Sequence, residues 1–101
     1  MQLRAEALSS PKSSCDKLLD EDHWQCLYAG VHPDKPRPET APTLDWALAA
    51  IARLGGWIRT KSGMPPGYLT VWKGWMKLKE RVQGWRLARQ RILGTAVENT
   101  T

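Results

Sequence analysis

The clearest pattern in the chain lies between Tyr68 and Leu93, where Val71, Trp75, Leu78, Val82, Trp85, Arg89 and Ile92 recur at alternating gaps of four and three. A 3.5-residue repeat predicts one long helix of about 39 Å, with a seam fit to pack lengthwise against other helices. Leu69, Trp72 and Met76 widen its apolar surface to one side, so one flank is expected on the domain's own core while the other stays available. Trp72, Trp75, Leu78 and Val82 are the expected core contribution. Two shorter patterns precede it. Acids at Asp20, Glu21 and Asp22 followed by Trp24, Leu27, Tyr28 and Val31 predict a short helix ending near Gly30. Thr43 stands at an N-cap position before Leu44, Ala47, Leu48, Ile51, Ala52 and Leu54, with Gly55 as the stop, which predicts the second helix. Trp46 lies beside that stripe, placed to cover a neighbouring helix.

The breaks between these helices are equally legible. Pro33, Pro36, Pro38 and Pro42 each remove an amide donor and bias the preceding residue toward extended geometry. Residues 32–42 therefore read as a semi-rigid connector of roughly 10 residues. Gly55 and Gly56 end the second helix, Trp57 and Ile58 supply apolar anchors, and a loop from Arg59 to Gly67 with Ser62-Gly63 and Pro65-Pro66-Gly67 turns the chain into the last helix. This loop is no phosphate cradle: the glycines are not followed by Lys and Ser or Thr, and Lys61 lacks that context. Gly74 and Gly84 fall inside the long helix, where each costs about 1 kcal/mol against Ala and permits a close backbone approach or a bend. Ser9, Ser10, Pro11, Ser13 and Ser14 make residues 1–17 a flexible leader, and residues 94–101 read as a disordered tail. The expected fold is all-α, a small three-helix domain over residues 18–93 with a frayed leader and a long C-terminal helix.

Composition narrows the options. At 101 residues and 42% apolar content, one small domain is the ceiling, burying perhaps ~65% of its unfolded surface and gaining from a partner. A net charge of +5 is concentrated late: Lys73, Lys77, Lys79, Arg81, Arg86, Arg89 and Arg91 face only Glu80, a balance that favours polyanions. Cys15 and Cys26 have no disulfide framework around them, the first residues lack the apolar core of a signal peptide, and no run approaches the ~18 apolar residues of a membrane span. The expected compartment is the cytoplasm, without a membrane role.

The chemical inventory is thin. Asp20, Glu21 and Asp22 are adjacent, whereas a two-metal phosphoryl site needs carboxylates converging from separate elements, so charge complementarity at a helix start is the better reading. Cys15, His23, Cys26 and His32 match no common zinc spacing. His23 and Cys26 are helical neighbours, yet no oxyanion-hole motif or orienting acid accompanies them. Trp72 and Trp75, interleaved with Lys73 and Lys77, are able to stack on bases, but core packing explains them better. No catalytic residue, metal ligand, cofactor or small-molecule substrate is expected.

One resemblance joins these pieces. The helix Asp22-His23-Trp24-Gln25-Cys26-Leu27-Tyr28, the proline-rich connector, Pro42-Thr43-Leu44, the stop Ile51-Ala52-Arg53-Leu54-Gly55-Gly56, Lys61 with Gly63, and Leu69 to Leu78 with Trp72, Gly74 and Trp75 together resemble the C-terminal dimerisation domain of DDE transposases of the insertion-sequence-four family, transposon-five type. The likeness covers roughly Leu18 to Gln90. It departs at Trp57, where the family usually carries Phe, and at Pro65-Pro66, which replace a more polar loop. The resemblance implies a helical domain that joins two protomers of a cut-and-paste transposase, with the family's metal-binding Asp-Asp-Glu core lying upstream and absent here. It also implies an inactive chain that pairs with itself or with full-length transposase, either a separate fragment of a decayed element or a short product able to inhibit the full-length enzyme.

Two roles follow. The first is dimerisation through Trp85, Ala88, Arg89, Ile92 and Leu93, which project past a second helix only about 16 to 18 Å long. The alternative is a DNA-binding module that holds transposon-end phosphates with Lys73, Lys77, Arg81, Arg86 and Arg91.

Overall fold

A computed structural model describes residues 2–59 and 63–99, with the backbone alone from residue 92 onward. Its regular elements are helical: α1 (Gln2–Ser9), a 3-10 turn at Cys15–Lys17, α2 (Glu21–Val31), α3 (Leu44–Leu54) and α4 (Tyr68–Asn99). Among the described residues there is no strand, only an isolated antiparallel bridge between Ser14 and Thr43. The three predicted helices are α2, α3 and α4, and the proline-rich connector between the first two is irregular as expected. Lys61 and Ser62 of the predicted loop lie outside the described residues.

Local chemistry sets the ends of the short helices. Asp20 caps α2 by accepting from the His23 backbone amide at 2.9 Å. Thr43 caps α3 in the same way, accepting from the Trp46 amide at 3.2 Å. At the other end of α3, the Gly56 amide donates to the Arg53 carbonyl at 3.0 Å and the Trp57 amide to the Ala52 carbonyl at 2.9 Å. Gly56 has φ +97°, so this is a Schellman stop with glycine in the left-handed position it requires.

The leader is the main departure from expectation. Residues 2–9 are helical, and Leu3 and Ala7 are buried against the core, with α1 packed on α3. The serine-proline stretch that follows supplies carbonyls to α3: the Leu44 amide donates to Ser13 at 2.7 Å and the Asp45 amide to Pro11 at 3.0 Å, while the Cys15 amide donates to Pro42 at 2.8 Å. The first amides of a helix have no intrahelical partner, and here the leader satisfies two of them. The other departure is at the far end, where the α4 backbone stays helical through Asn99 instead of ending at Leu93.

The core is centred on α3. Leu44, Ala47 and Ile51 have no exposed surface, and Val71, Leu78 and Val82 of α4 close over them with exposures of 0 to 1%. Cys15 and Leu19 from the first segment and Trp24 and Leu27 from α2 complete the same cluster. The seam therefore holds for Val71, Leu78 and Val82. Trp72 departs from it: at 45% exposure it faces outward, because on a helix it falls about 100° from Val71. Trp75 lies at the margin, half-buried and stacked on the His23 ring with centroids 5.3 Å apart. Trp46 does cover a neighbouring helix, its ring 5.8 Å from that of Tyr28.

Gly55 and Gly74 mark where α3 and α4 meet. A Cβ at Gly74 would overlap the Ile51 carbonyl, and one at Gly55 would overlap the Thr70 carbonyl. The two backbones touch with no side chain between them, whereas Gly84 has nothing within 4 Å of a built Cβ. Two substitutions therefore have opposite expected outcomes. Gly74→Ala must push the helices apart and should destabilise the fold by about 3 kcal/mol. Gly84→Ala should stabilise it, by up to about 1 kcal/mol. Urea unfolding followed by circular dichroism reads both; a neutral Gly74→Ala would contradict the close crossing.

Candidate protein interaction surface

The distal half of α4 is placed by a set of ionic contacts that join it to the start of α2. Beyond Val82, the Arg86 side chain donates from Nε to Asp22 Oδ2 at 2.8 Å and from Nη2 to Asp20 Oδ2 at 3.0 Å, and Arg89 Nη2 reaches Asp22 at 3.4 Å. His23 Nδ1 lies 2.5 Å from Asp20 Oδ1 while its ring stacks on Trp75, so this corner joins acids, a ring pair and two guanidinium groups. Adjacent acids at the first turn of α2 face the cations of α4 across the helix pair.

The electrostatics agree with the geometry. Partial burial pushes the Asp20 carboxyl up, but hydrogen bonds from the His23 ring and amide, with the charges of His23 and Arg86, more than offset this and hold it below its ordinary value. The Arg86 hydrogen bond is the chief reason that Asp22 is also held low, and the same bond raises Arg86. Burial has the reverse effect on the thiols. It pushes Cys15 up to about 11, with help from the Asp16 charge, and also raises Cys26. A raised thiol is a poor nucleophile, which weighs against a His23-Cys26 pair. Among the described residues, no three His, Cys, Asp or Glu side chains converge to hold a metal ion.

The five residues expected to pair subunits are only partly assembled. Trp85 is half-buried, Ala88 and Arg89 are exposed, and all three lie within about 100° on the helix wheel, continuing the buried seam past its last covered position. Arg89 is engaged by Asp22. Ile92 and Leu93 follow in register on the α4 backbone, and their side chains lie outside the described residues. Of the five cations expected to meet phosphate, Lys73, Lys77 and Arg81 are exposed along one edge of α4, Arg86 is engaged by Asp20 and Asp22, and Arg91 is exposed at the end. The acidic triplet was legible in the sequence as a helix start, but its pairing with Arg86 and Arg89 was not. Its signal was the presence of two arginines three apart on a stretch of helix with no acid between Glu80 and Glu98.

The long axis of the molecule measures 59 Å against 26 and 25 Å across, because α4 outruns its companions. The family model described as the transposase Tn5 dimerisation domain matches residues 2–94. The chain belongs to this Tn5 dimerisation family. The match includes α1, which the sequence reading had placed in a flexible leader. The family's role is in transposase dimerisation, and such a domain is non-catalytic. Such a domain implies homo- or hetero-oligomeric partners. Among the described residues, no helix is long and apolar enough to cross a membrane.

The ionic corner gives a pH-dependent expectation for this Tn5-type domain. Asp20 and Asp22 have depressed folded-state values, so their stabilising share is complete above the unfolded value near 3.8 and is lost as pH falls through the folded values. Asp22→Asn removes part of that share. The variant should be less stable than the parent at about pH 7 and should lose less additional stability between about pH 5 and pH 3. Urea midpoints at these pH values check this; parallel losses would show that Asp22 carries none of the acid sensitivity.

Proposed function

We propose that this chain is the self-pairing module of a cut-and-paste transposase of the insertion-sequence-four type, joining a second copy or the full-length transposase through the distal part of α4. The supporting observation is a mismatch of lengths. At 32 residues α4 spans about 48 Å, whereas the 11 residues of α3 span about 16 Å. The seam that is buried at Val71, Leu78 and Val82 thus continues into Trp85, Ala88 and Arg89, with Ile92 and Leu93 next in register, on a helix far longer than α3. A second copy aligned along this segment would bury the remaining face, as coiled seams do. In this reading the chain acts in the cytoplasm, performs no catalysis, uses no cofactor or small-molecule substrate, and carries none of the metal-binding acids of the DDE core. A chain of this kind lowers transposition by pairing with full-length transposase in unproductive dimers.

Sedimentation velocity at tens of micromolar should show a dimer, and Trp85→Glu or Ala88→Glu should shift it to monomer with the helical circular dichroism retained. A strict monomer, both alone and mixed with the full-length enzyme, would remove the proposal.

A second reading is supported by the exposed edge formed by Lys73, Lys77 and Arg81 at successive spacings of four. It makes the domain an auxiliary contact for transposon-end phosphates. Binding to transposon-end duplex should then weaken with salt with a log-log slope of about −3, for three neutralised phosphates. No retention of the duplex at low salt would exclude this role.

A further inference from the structure

The proximal half of α4 carries a second apolar feature, unrelated to the distal seam. Leu69, Trp72 and Met76 are 70%, 45% and 41% exposed and lie within about 60° of one another on the helix, opposite the buried seam. Trp72 also forms one wall of an open cavity of about 200 Å³, lined further by Gln2, Leu3, Leu18, Leu19 and Trp75. That volume is below the roughly 300 Å³ at which small-molecule sites begin, and it suits one large apolar side chain. Charge frames the stripe. Lys79 borders it on one side and Lys73 and Lys77 on the other, all exposed, with Glu80 the one acid on this stretch of α4.

We infer that the Leu69-Trp72-Met76 stripe is a docking groove for an acidic amphipathic helix of a partner protein, which inserts one apolar side chain into the cavity beside Trp72. A helix laid on this stripe would present apolar anchors at spacings of three and four to the groove and carboxylates to the flanking lysines. A second copy of this face is the wrong occupant. Stripe against stripe would bring two sets of Lys73, Lys77 and Lys79 together around three apolar residues per side, and like charges at an interface oppose pairing. The inference is independent of the dimerisation reading, because it uses the opposite face and the other end of α4.

The test is fluorescence anisotropy with a labelled designed helical peptide of about sixteen residues, long enough to be marginally helical alone, bearing Leu anchors and Glu elsewhere. A control peptide carries Lys in place of Glu. The Glu peptide should bind, at least tenfold more tightly than the Lys peptide, and more weakly as salt is raised. Trp72→Glu and Met76→Glu should each reduce its affinity at least tenfold; both residues are exposed, and circular dichroism confirms that each variant folds. The monomeric Trp85→Glu protein should bind the Glu peptide normally, which separates this result from the fate of the dimer proposal. Equal affinity for both peptides, no binding, or binding unchanged in Trp72→Glu would overturn the inference. So would a parent dimer that dissociates in Met76→Glu, since the stripe would then be the self-pairing face.

Discussion

The contact between the α3 and α4 backbones at Gly55 and Gly74 constrains everything else in this molecule. Two helices usually pack 8 to 10 Å apart because side chains intervene. Here the Gly74 position leaves room only for the Ile51 carbonyl, and Gly55 only for that of Thr70. Such an approach is made once along a pair of straight helices, and it fixes both their separation and their angle. It also places Val71 one turn before the crossing and Leu78 one turn after it, on the same side, where each is wholly buried. Because the crossing lies near the start of α4 and α3 has only 11 residues against 32, α4 must outrun α3 at its distal end.

How much of this was legible in the sequence depends on the range of the interaction. The α3 helix was predicted to the residue, since a Thr43 cap, an apolar stripe and a double glycine are all local signals. The Gly74 anomaly was visible too, as a costly residue inside a good helix, though its partner was not. The leader was misread because its stabilisation is entirely tertiary. Serines and a proline disfavour regular structure by their own propensities, but the carbonyls of Pro11 and Ser13 meet the two unsatisfied amides at the start of α3, and Leu3 and Ala7 bury on the core. No periodicity within residues 1–17 announces an acceptor whose donor is thirty residues away.

The same logic applies to the surface. Trp72 was expected in the core beside the seam, but as the neighbour of Val71 it lies about 100° round the helix from it, on a flank that no other helix covers fully, and is 45% exposed. The seven cations of α4 from Lys73 to Arg91 looked equivalent in sequence. Structure divides them: Arg86 and Arg89 hold α4 against the acids of α2, while Lys73, Lys77 and Arg81 lie along an edge that those acids do not reach. A positive helix thus has one part committed to its own fold and another directed outward, a distinction that composition and net charge cannot make.

The part of α4 beyond Val82 explains why such a domain would be built for pairing. An isolated helical segment of this length is marginal in water, since propagation barely exceeds the cost of nucleation and Gly84 lowers the helix propensity further. Its tertiary support includes the ionic corner at Asp20 and Asp22, and solvent-screened ion pairs of this kind contribute little. The helical state of the distal segment is therefore held by a small margin. A partner that binds only the helical state would add its binding free energy to that margin, so order in the rod and association of two chains would rise and fall together. Coupling of this kind makes pairing sensitive to the ionic corner, even though none of its acids need touch the second chain.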